Sequence, residues 1–184
     1  SKVVEACTAN YLQLKPCDEA FMPSPNPGQP YMLYMHVPFC ERLCPYCSFN
    51  RFPFREDRAK PYFQNMRREM RMLKDLGYDF DSVYIGGGTP TTLSARQLDA
   101  LCTQLDAAFD LSALREFTVE AGRPDTITAD KLHVLRAHRV DRISVNPQTL
   151  DDRVLGTTGR RETAQDIYDA VQLGRTNGGL AVNI

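Results

Sequence analysis

The stretch Tyr34-Met-His-Val-Pro-Phe-Cys40-Glu-Arg-Leu-Cys44-Pro-Tyr-Cys47-Ser-Phe49 decides how the rest of the chain is read. Residues 31–37 form a short apolar run that predicts a buried strand, closed by Pro38, which cannot donate to a ladder. Three cysteines follow in a C-x3-C-x2-C loop. Thiols this close together can reach three corners of one iron–sulfur cube, whose irons are held by Cys thiolates. The fourth iron then stays open to another ligand. The competing reading is a Cys3His zinc site that recruits His36. Zinc sites usually draw C-x2-C pairs from two separate knuckles, and strand residues alternate between faces. Spacing therefore favours the cube over zinc and leaves both open.

Beyond the loop, strand and helix patterns alternate. A helix is expected over residues 61–76, with Phe63, Met66, Met70 and Leu73 on one face and Gly77 as its C-terminal cap. A second strand over 81–85 runs into Gly86-Gly-Gly-Thr-Pro90. Ser94 caps a helix carrying Leu98, Leu101, Leu105 and Phe109 on one stripe. Residues 116–120, 141–146 and 180–184 predict three more strands, separated by helices over 128–138, capped by Thr128, and 163–176. This alternation implies right-handed βαβ units and a parallel sheet. The expected fold is α/β, a partial (β/α) barrel of four units and one further strand. Residues 1–30 read as an extension or linker, with four prolines in 22–30, and 31–184 as the core. The strands' C-terminal ends carry Cys40, residues 86–90, Glu120 and residues 146–148, the edge where catalytic groups gather in such barrels.

The bulk numbers narrow the function classes. The chain has 184 residues, 42% hydrophobic and 24% charged, which suits one soluble domain with a real core. A net charge of −1 argues for neither nucleic acid nor membrane surface as partner. No apolar run approaches the ~20 residues of a membrane helix, and residues 1–10 lack a secretory pattern. A cytoplasmic protein is expected, so the six cysteines read as a metal or cluster set and buried thiols rather than a disulfide framework. Cys102 reads as a core thiol, and Cys7 and Cys17 fall in a poorly patterned stretch. The basic face Arg67, Arg68, Arg71 and Lys74 is interrupted by Glu69 and reads as solvated. Arg51-Phe-Pro-Phe-Arg55 either touches an anionic substrate or packs over the cysteine loop. The triple glycine is no Walker loop, since Lys-Ser/Thr is absent. It reads as a tight turn, or as backbone exposed to a ligand bearing ammonium and carboxylate groups.

The cysteine loop and Val83-Tyr-Ile-Gly-Gly-Gly-Thr-Pro90 together resemble the radical S-adenosylmethionine (radical SAM) superfamily. Within it, residues 31–184 resemble the oxygen-independent coproporphyrinogen III oxidase family, including its haem-chaperone and tetrapyrrole-modifying branches. The resemblance implies that Cys40, Cys44 and Cys47 hold a [4Fe–4S] cluster whose open iron takes the amine and carboxylate of SAM. It implies that Tyr46 lies beside the adenine, that Gly87, Gly88 and Thr89 meet the methionine moiety, and that Tyr34 lies near the cluster. Glu120, Gln148 and Arg160 match further SAM-binding positions. The implied chemistry is reductive cleavage of SAM to a 5′-deoxyadenosyl radical, with a tetrapyrrole substrate and an electron donor such as flavodoxin or ferredoxin. A haem chaperone and a methyltransferase using two SAM molecules are the alternatives.

Three departures matter. The family's decarboxylase has another Cys two residues beyond the third ligand, where Phe49 stands after Ser48. Ser144-Val-Asn-Pro-Gln148 replaces a commoner Ser-x-Gly-x-Gln, and with Glu120-Ala-Gly-Arg-Pro-Asp125 resembles a less characterised branch. The family's next SAM-contacting aspartate falls beyond Ile184, so the chain reads as part of a longer enzyme.

Overall fold

The protein is described by a computed structural model over residues 22–176 and 178–184. Cys7, Cys17 and most of the expected N-terminal extension lie outside the described residues. Five strands, β1 (Met32–Val37), β4 (Ser82–Gly87), β5 (Glu116–Glu120), β6 (Arg142–Ser144) and β7 (Ala181–Asn183), form one parallel sheet in the order β1-β4-β5-β6-β7. Each strand pairs with the one that follows it after a helical crossover, so the order never reverses. That is the wall of a (β/α) barrel and not a doubly wound sheet, which would switch direction at its centre. Two short strands, β2 (Phe39–Cys40) and β3 (Phe52–Pro53), make a separate parallel pair around the cysteine loop.

The helices are α1 (Glu56–Asp75), α2 (Ala95–Ala108), α3 (Ala129–Ala137), α4 (Asp152–Thr157) and α5 (Ala164–Thr176). Helix α1 begins at Glu56, a turn earlier than the Pro61 start expected. Pro61, at the helix's sixth position, lies just past the unpartnered first turn and removes one i→i−4 bond. Glu56 and Asp57 in the first turn complement the helix dipole. The chain leaves α1 through Gly77 at φ +86°, a left-handed exit open to glycine. Ser94 and Gln97 form a reciprocal capping box at α2. Thr128 occupies the cap position of α3, but its hydroxyl donates to the Asp130 carboxylate and leaves the backbone uncapped. Helix α4, capped by Asp151, is too short to print a period on the sequence and was not expected.

Strand alternation divides the sheet. Leu33, Met35, Val37, Val83, Ile85, Phe117, Val119 and Ile143 face the helices and are buried with Leu98, Leu105, Leu132 and Leu135. Burial of each such side chain stabilises the fold by about 1.5–3 kcal/mol. Cys102 is a core thiol, as expected, and burial pushes it up to about 12. The opposite face carries Tyr34, His36, Tyr84, Glu116, Glu120 and Arg142. Arg142 pairs there with Glu116 at 2.9 Å. Arg67, Arg68, Arg71 and Lys74 of α1 are exposed, as a solvated face should be.

Candidate metal centre and cofactor site

The cysteine loop is held from below. Phe52 N–H donates to Pro38 O at 2.6 Å and Phe54 N–H to Cys40 O at 2.8 Å. Phe39 sits among Phe54, Tyr62 and Phe63, with ring centroids 5.4–6.1 Å apart. Arg51 donates to Cys44 O at 2.7 Å, so this arginine packs the loop. Arg42 ties the loop to Asp125, beyond β5, at 2.5 Å. Gly159 approaches Pro45 from the α4–α5 connection, which delivers Arg160 to the same place.

The glycine strand end then closes on the loop. Gly88 N–H donates to Val37 O at 2.8 Å and Thr89 N–H to Phe39 O at 2.9 Å. A Cβ at Gly88 would stand 2.8 Å from Phe39 O and 2.9 Å from Cys40 Sγ. Gly87, at φ +126°, would place one 2.7 Å from Val37 O. Only glycine lets β4 run this close to a thiol. Thr89 Oγ1 lies 3.5 Å from Cys40 Sγ.

Beside these, Glu120 accepts from Tyr84 Oη at 2.8 Å and from Gly87 N at 2.9 Å, leaving lone pairs free toward the cavity. Burial and the Glu120 carboxylate hold the Tyr84 hydroxyl well above its usual range, so it stays a donor. Arg160 is buried. It donates to the carbonyls of Asn146 and Gly122 and pairs with Glu162 at 2.5 Å. Gln148 adopts φ +65°, a left-handed conformation unusual for a residue with a side chain. Gly122 faces Asn146, so the asparagine in the Ser144–Gln148 segment fits where its neighbour has no side chain.

Cys40, Cys44, Cys47, Tyr46, Gly87, Gly88, Thr89, Glu120, Gln148 and Arg160 all line one cavity of about 430 Å³. Its size falls in the usual range for a small-molecule site. Another hollow, of about 480 Å³ between Pro124 and Leu173, carries no thiol. Burial raises the Cys40 thiol, and the neighbouring Cys44 and Cys47 add to the rise. Three thiols on one short loop are suited to sharing a cationic core, which takes them as thiolates. Burial, and then Cys44, raise the Tyr46 hydroxyl.

Tyr34 is placed differently. It lies outside the cavity, half exposed, stacked on Tyr84 with centroids 6.0 Å apart. His36 contacts Asn50 O through Nε2 at 2.9 Å and Tyr34 Oη through Nδ1 at 2.9 Å. A carbonyl only accepts, so Nε2 carries a proton, and in the neutral ring Nδ1 accepts from Tyr34. Both imidazole nitrogens are engaged, which removes His36 from the thiol set and with it the Cys3His reading. Among the described residues no three His, Cys, Asp or Glu side chains converge on a single-ion site.

The structure adds residues that sequence reasoning missed. Arg123, buried after β5, reaches Cys44 Sγ and Glu162, and Glu162 bridges Arg123 and Arg160. The only available signal was Arg123's place three residues past Glu120. Nothing local marked Glu162.

The chain matches the radical SAM superfamily over residues 34–183. It is 36% identical over 159 residues to the oxygen-independent coproporphyrinogen-III oxidase-like protein HemZ of Bacillus subtilis (strain 168), covering 83% of this chain and 32% of HemZ. It is 36% identical over 148 residues to the heme chaperone HemW of the same organism, covering 79% and 39%. The solved coproporphyrinogen III oxidase (HemN) from Escherichia coli aligns with a TM-score of 0.78 at 30% identity, over 86% of this chain and 37% of that one. The chain thus spans under two-fifths of the length of these relatives. The sheet order and thiol loop agree with that kinship: the chain belongs to the radical SAM superfamily, in its coproporphyrinogen III oxidase-like family, which uses a [4Fe–4S] cluster and SAM.

Proposed function

We propose that the chain is the cofactor-binding core of a radical SAM enzyme that cleaves SAM reductively and acts on a tetrapyrrole. One observation carries this reading: three thiols, the glycine strand end, Glu120, Gln148 and Arg160 line a single cavity. Cys40, Cys44 and Cys47 are the cluster ligands. The cluster and SAM, when bound, supply one-electron chemistry and a carbon radical that abstracts hydrogen from the substrate.

The protein's own groups bind and orient. Glu120, already fixed by two donors, has lone pairs for the SAM ammonium. Arg160 offers a guanidinium for the carboxylate, and Gly87 and Gly88 bring bare backbone to the methionine moiety. Thr89 offers its hydroxyl, Tyr46 a flat ring for the adenine, and Gln148 an amide at the far wall. Tyr34 acts at one remove, by holding His36 and stacking on Tyr84. A flavodoxin or ferredoxin supplies the electron. No described helix is long and apolar enough to cross a membrane.

Tetrapyrrole chemistry is supported by the relatives' names. Decarboxylation of coproporphyrinogen is disfavoured by Phe49, which stands where the decarboxylase has another Cys. Phe49 is 69% exposed beside the cavity. An exposed aromatic there suits a flat macrocycle that is carried as well as one that reacts. The second reading is therefore a haem chaperone, as one relative is named.

The test is anaerobic reconstitution with iron and sulfide, then SAM and a reductant. Release of 5′-deoxyadenosine is the expected result, and S-adenosylhomocysteine would instead indicate methyl transfer. Tight haem binding without SAM cleavage would overturn the enzyme reading in favour of the chaperone. A protein that took up zinc but no iron would overturn both.

A further inference from the structure

Arg123 has no part in the function proposed above, yet its guanidinium contacts a cluster thiol. It is 8% exposed and sits in the connection that follows β5. Its Nη2 donates to Cys44 Sγ at 2.6 Å, while Nη1 pairs with Glu162 Oε1 at 3.4 Å. The Glu162 side chain is 1% exposed and also pairs with Arg160 Nε at 2.5 Å. One carboxylate thus serves two guanidiniums, and the trio keeps a net positive charge against the cysteine loop. Buried charge is costly unless balanced, so this arrangement calls for an anion on its cavity side.

The two arginines are not equivalent. Arg160 is turned to the carbonyls of Asn146 and Gly122. Arg123 spends its second arm on sulfur. Nor are the thiols equivalent: the hydrogen-bond partner of Cys40 Sγ is the neutral Thr89 hydroxyl, and the Arg123 charge reaches it only at a distance. Among the described residues, Cys44 is the cluster thiol given a cationic donor.

We propose that Arg123 is a positioning residue that tunes the cluster. Held in place by Glu162, it hydrogen-bonds the Cys44 thiolate and favours the reduced, more negative cluster. Hydrogen bonds and positive charge at cluster sulfurs are established levers on reduction potential. The proposal rests on Cys40, Cys44 and Cys47 being the ligands.

The test is a redox titration of the reconstituted chain, followed by the cluster's visible and paramagnetic signals. Arg123→Met is expected to make the cluster about tenfold harder to reduce, a drop of about 59 mV for a one-electron couple. Arg123→Lys, which keeps the charge without the fork, is expected to fall between Met and wild type. Equal potentials in wild type and Arg123→Met at equal iron content would overturn the proposal. So would an unchanged potential with weakened SAM binding, which would assign Arg123 to the SAM carboxylate. If Arg123→Met does not hold iron, the double variant Arg123→Met/Glu162→Gln takes its place, and the same outcomes decide. Failure of the wild type to hold iron is a separate result, and strikes at the ligand assignment itself.

Discussion

On the helix-covered face of the sheet, Leu33, Met35, Val83, Ile85, Phe117, Val119 and Ile143 are buried. On the other face the same strands present Tyr34, His36, Tyr84, Glu116, Glu120 and Arg142, all partly or largely open. Neighbouring residues along one strand therefore serve different ends. Phe117 and Val119 hold helices to the sheet, while Glu120, one step further, ends the strand in the cavity. The first face is closed and gains from apolar area removed from water. The second is open and polar, and its groups are fixed by directed bonds such as Tyr84 to Glu120. Damage to one should leave the other largely intact.

The largest effect is expected from Cys44→Ala. With one corner of the cube lost, cluster assembly should fail, read as iron content and visible absorbance, while the fold survives. Undiminished iron would remove Cys44 from the ligand set. Next comes Phe117→Ala on the covered face, which should lower unfolding free energy by about 3–5 kcal/mol in a urea titration. Cluster loading of the folded protein should not change, and a stability loss far below this range would mean that the face is loosely packed. Glu120→Gln should reverse the pattern. It keeps the side chain's shape but loses the charge, so SAM binding should weaken by about 1.5–3 kcal/mol with little change in urea midpoint. A normal SAM affinity would place the ammonium elsewhere.

The smallest effect belongs to His138, away from both faces. It links Asp106 at 2.7 Å and Asp99 at 2.9 Å, joining α3 to α2. Burial pulls its pKa down, but the hydrogen bonds to Asp99 and Asp106 outweigh this, and the net shift is upward. The protonated form thus stabilises the fold. Its contribution is complete below the ordinary histidine range near pH 6.5 and fades as pH rises through the folded-state value. Both carboxylates are largely solvated, so the amplitude should stay under ~1 kcal/mol. Comparing His138→Gln with wild type between pH 6 and 9 checks it: the variant should lose this slope.

Much of this was legible in advance. Residues 116–120 form the strand their pattern predicted, Ser94 caps α2 with Gln97, and Gly77 ends α1. Such signals are local: a cap or a strand period lies within a few residues of what it specifies. The early start of α1 and the pairing of β2 with β3 were missed because Pro61 and the cysteine loop dominate the local pattern. The thiol loop and the glycine strand end, expected at the same edge of the sheet, line one cavity. Tyr34, which the resemblance puts near the cluster, stacks on Tyr84 outside the cavity lining, because strand register sets where its ring points.

Composition and period were enough for the parallel α/β wall and its chemical edge, because each depends on contacts short in sequence or on regular alternation. The spacing of Cys40, Cys44 and Cys47 favoured a cube over zinc, and the family resemblance supplied the cofactor class. The trio of Arg123, Glu162 and Cys44 was not accessible that way. Cys44 and Arg123 are 79 positions apart, and Arg123 and Glu162 are 39. Their charges meet only once β5 and the α4–α5 connection are packed around one cavity, where low solvent access makes a shared carboxylate worth holding.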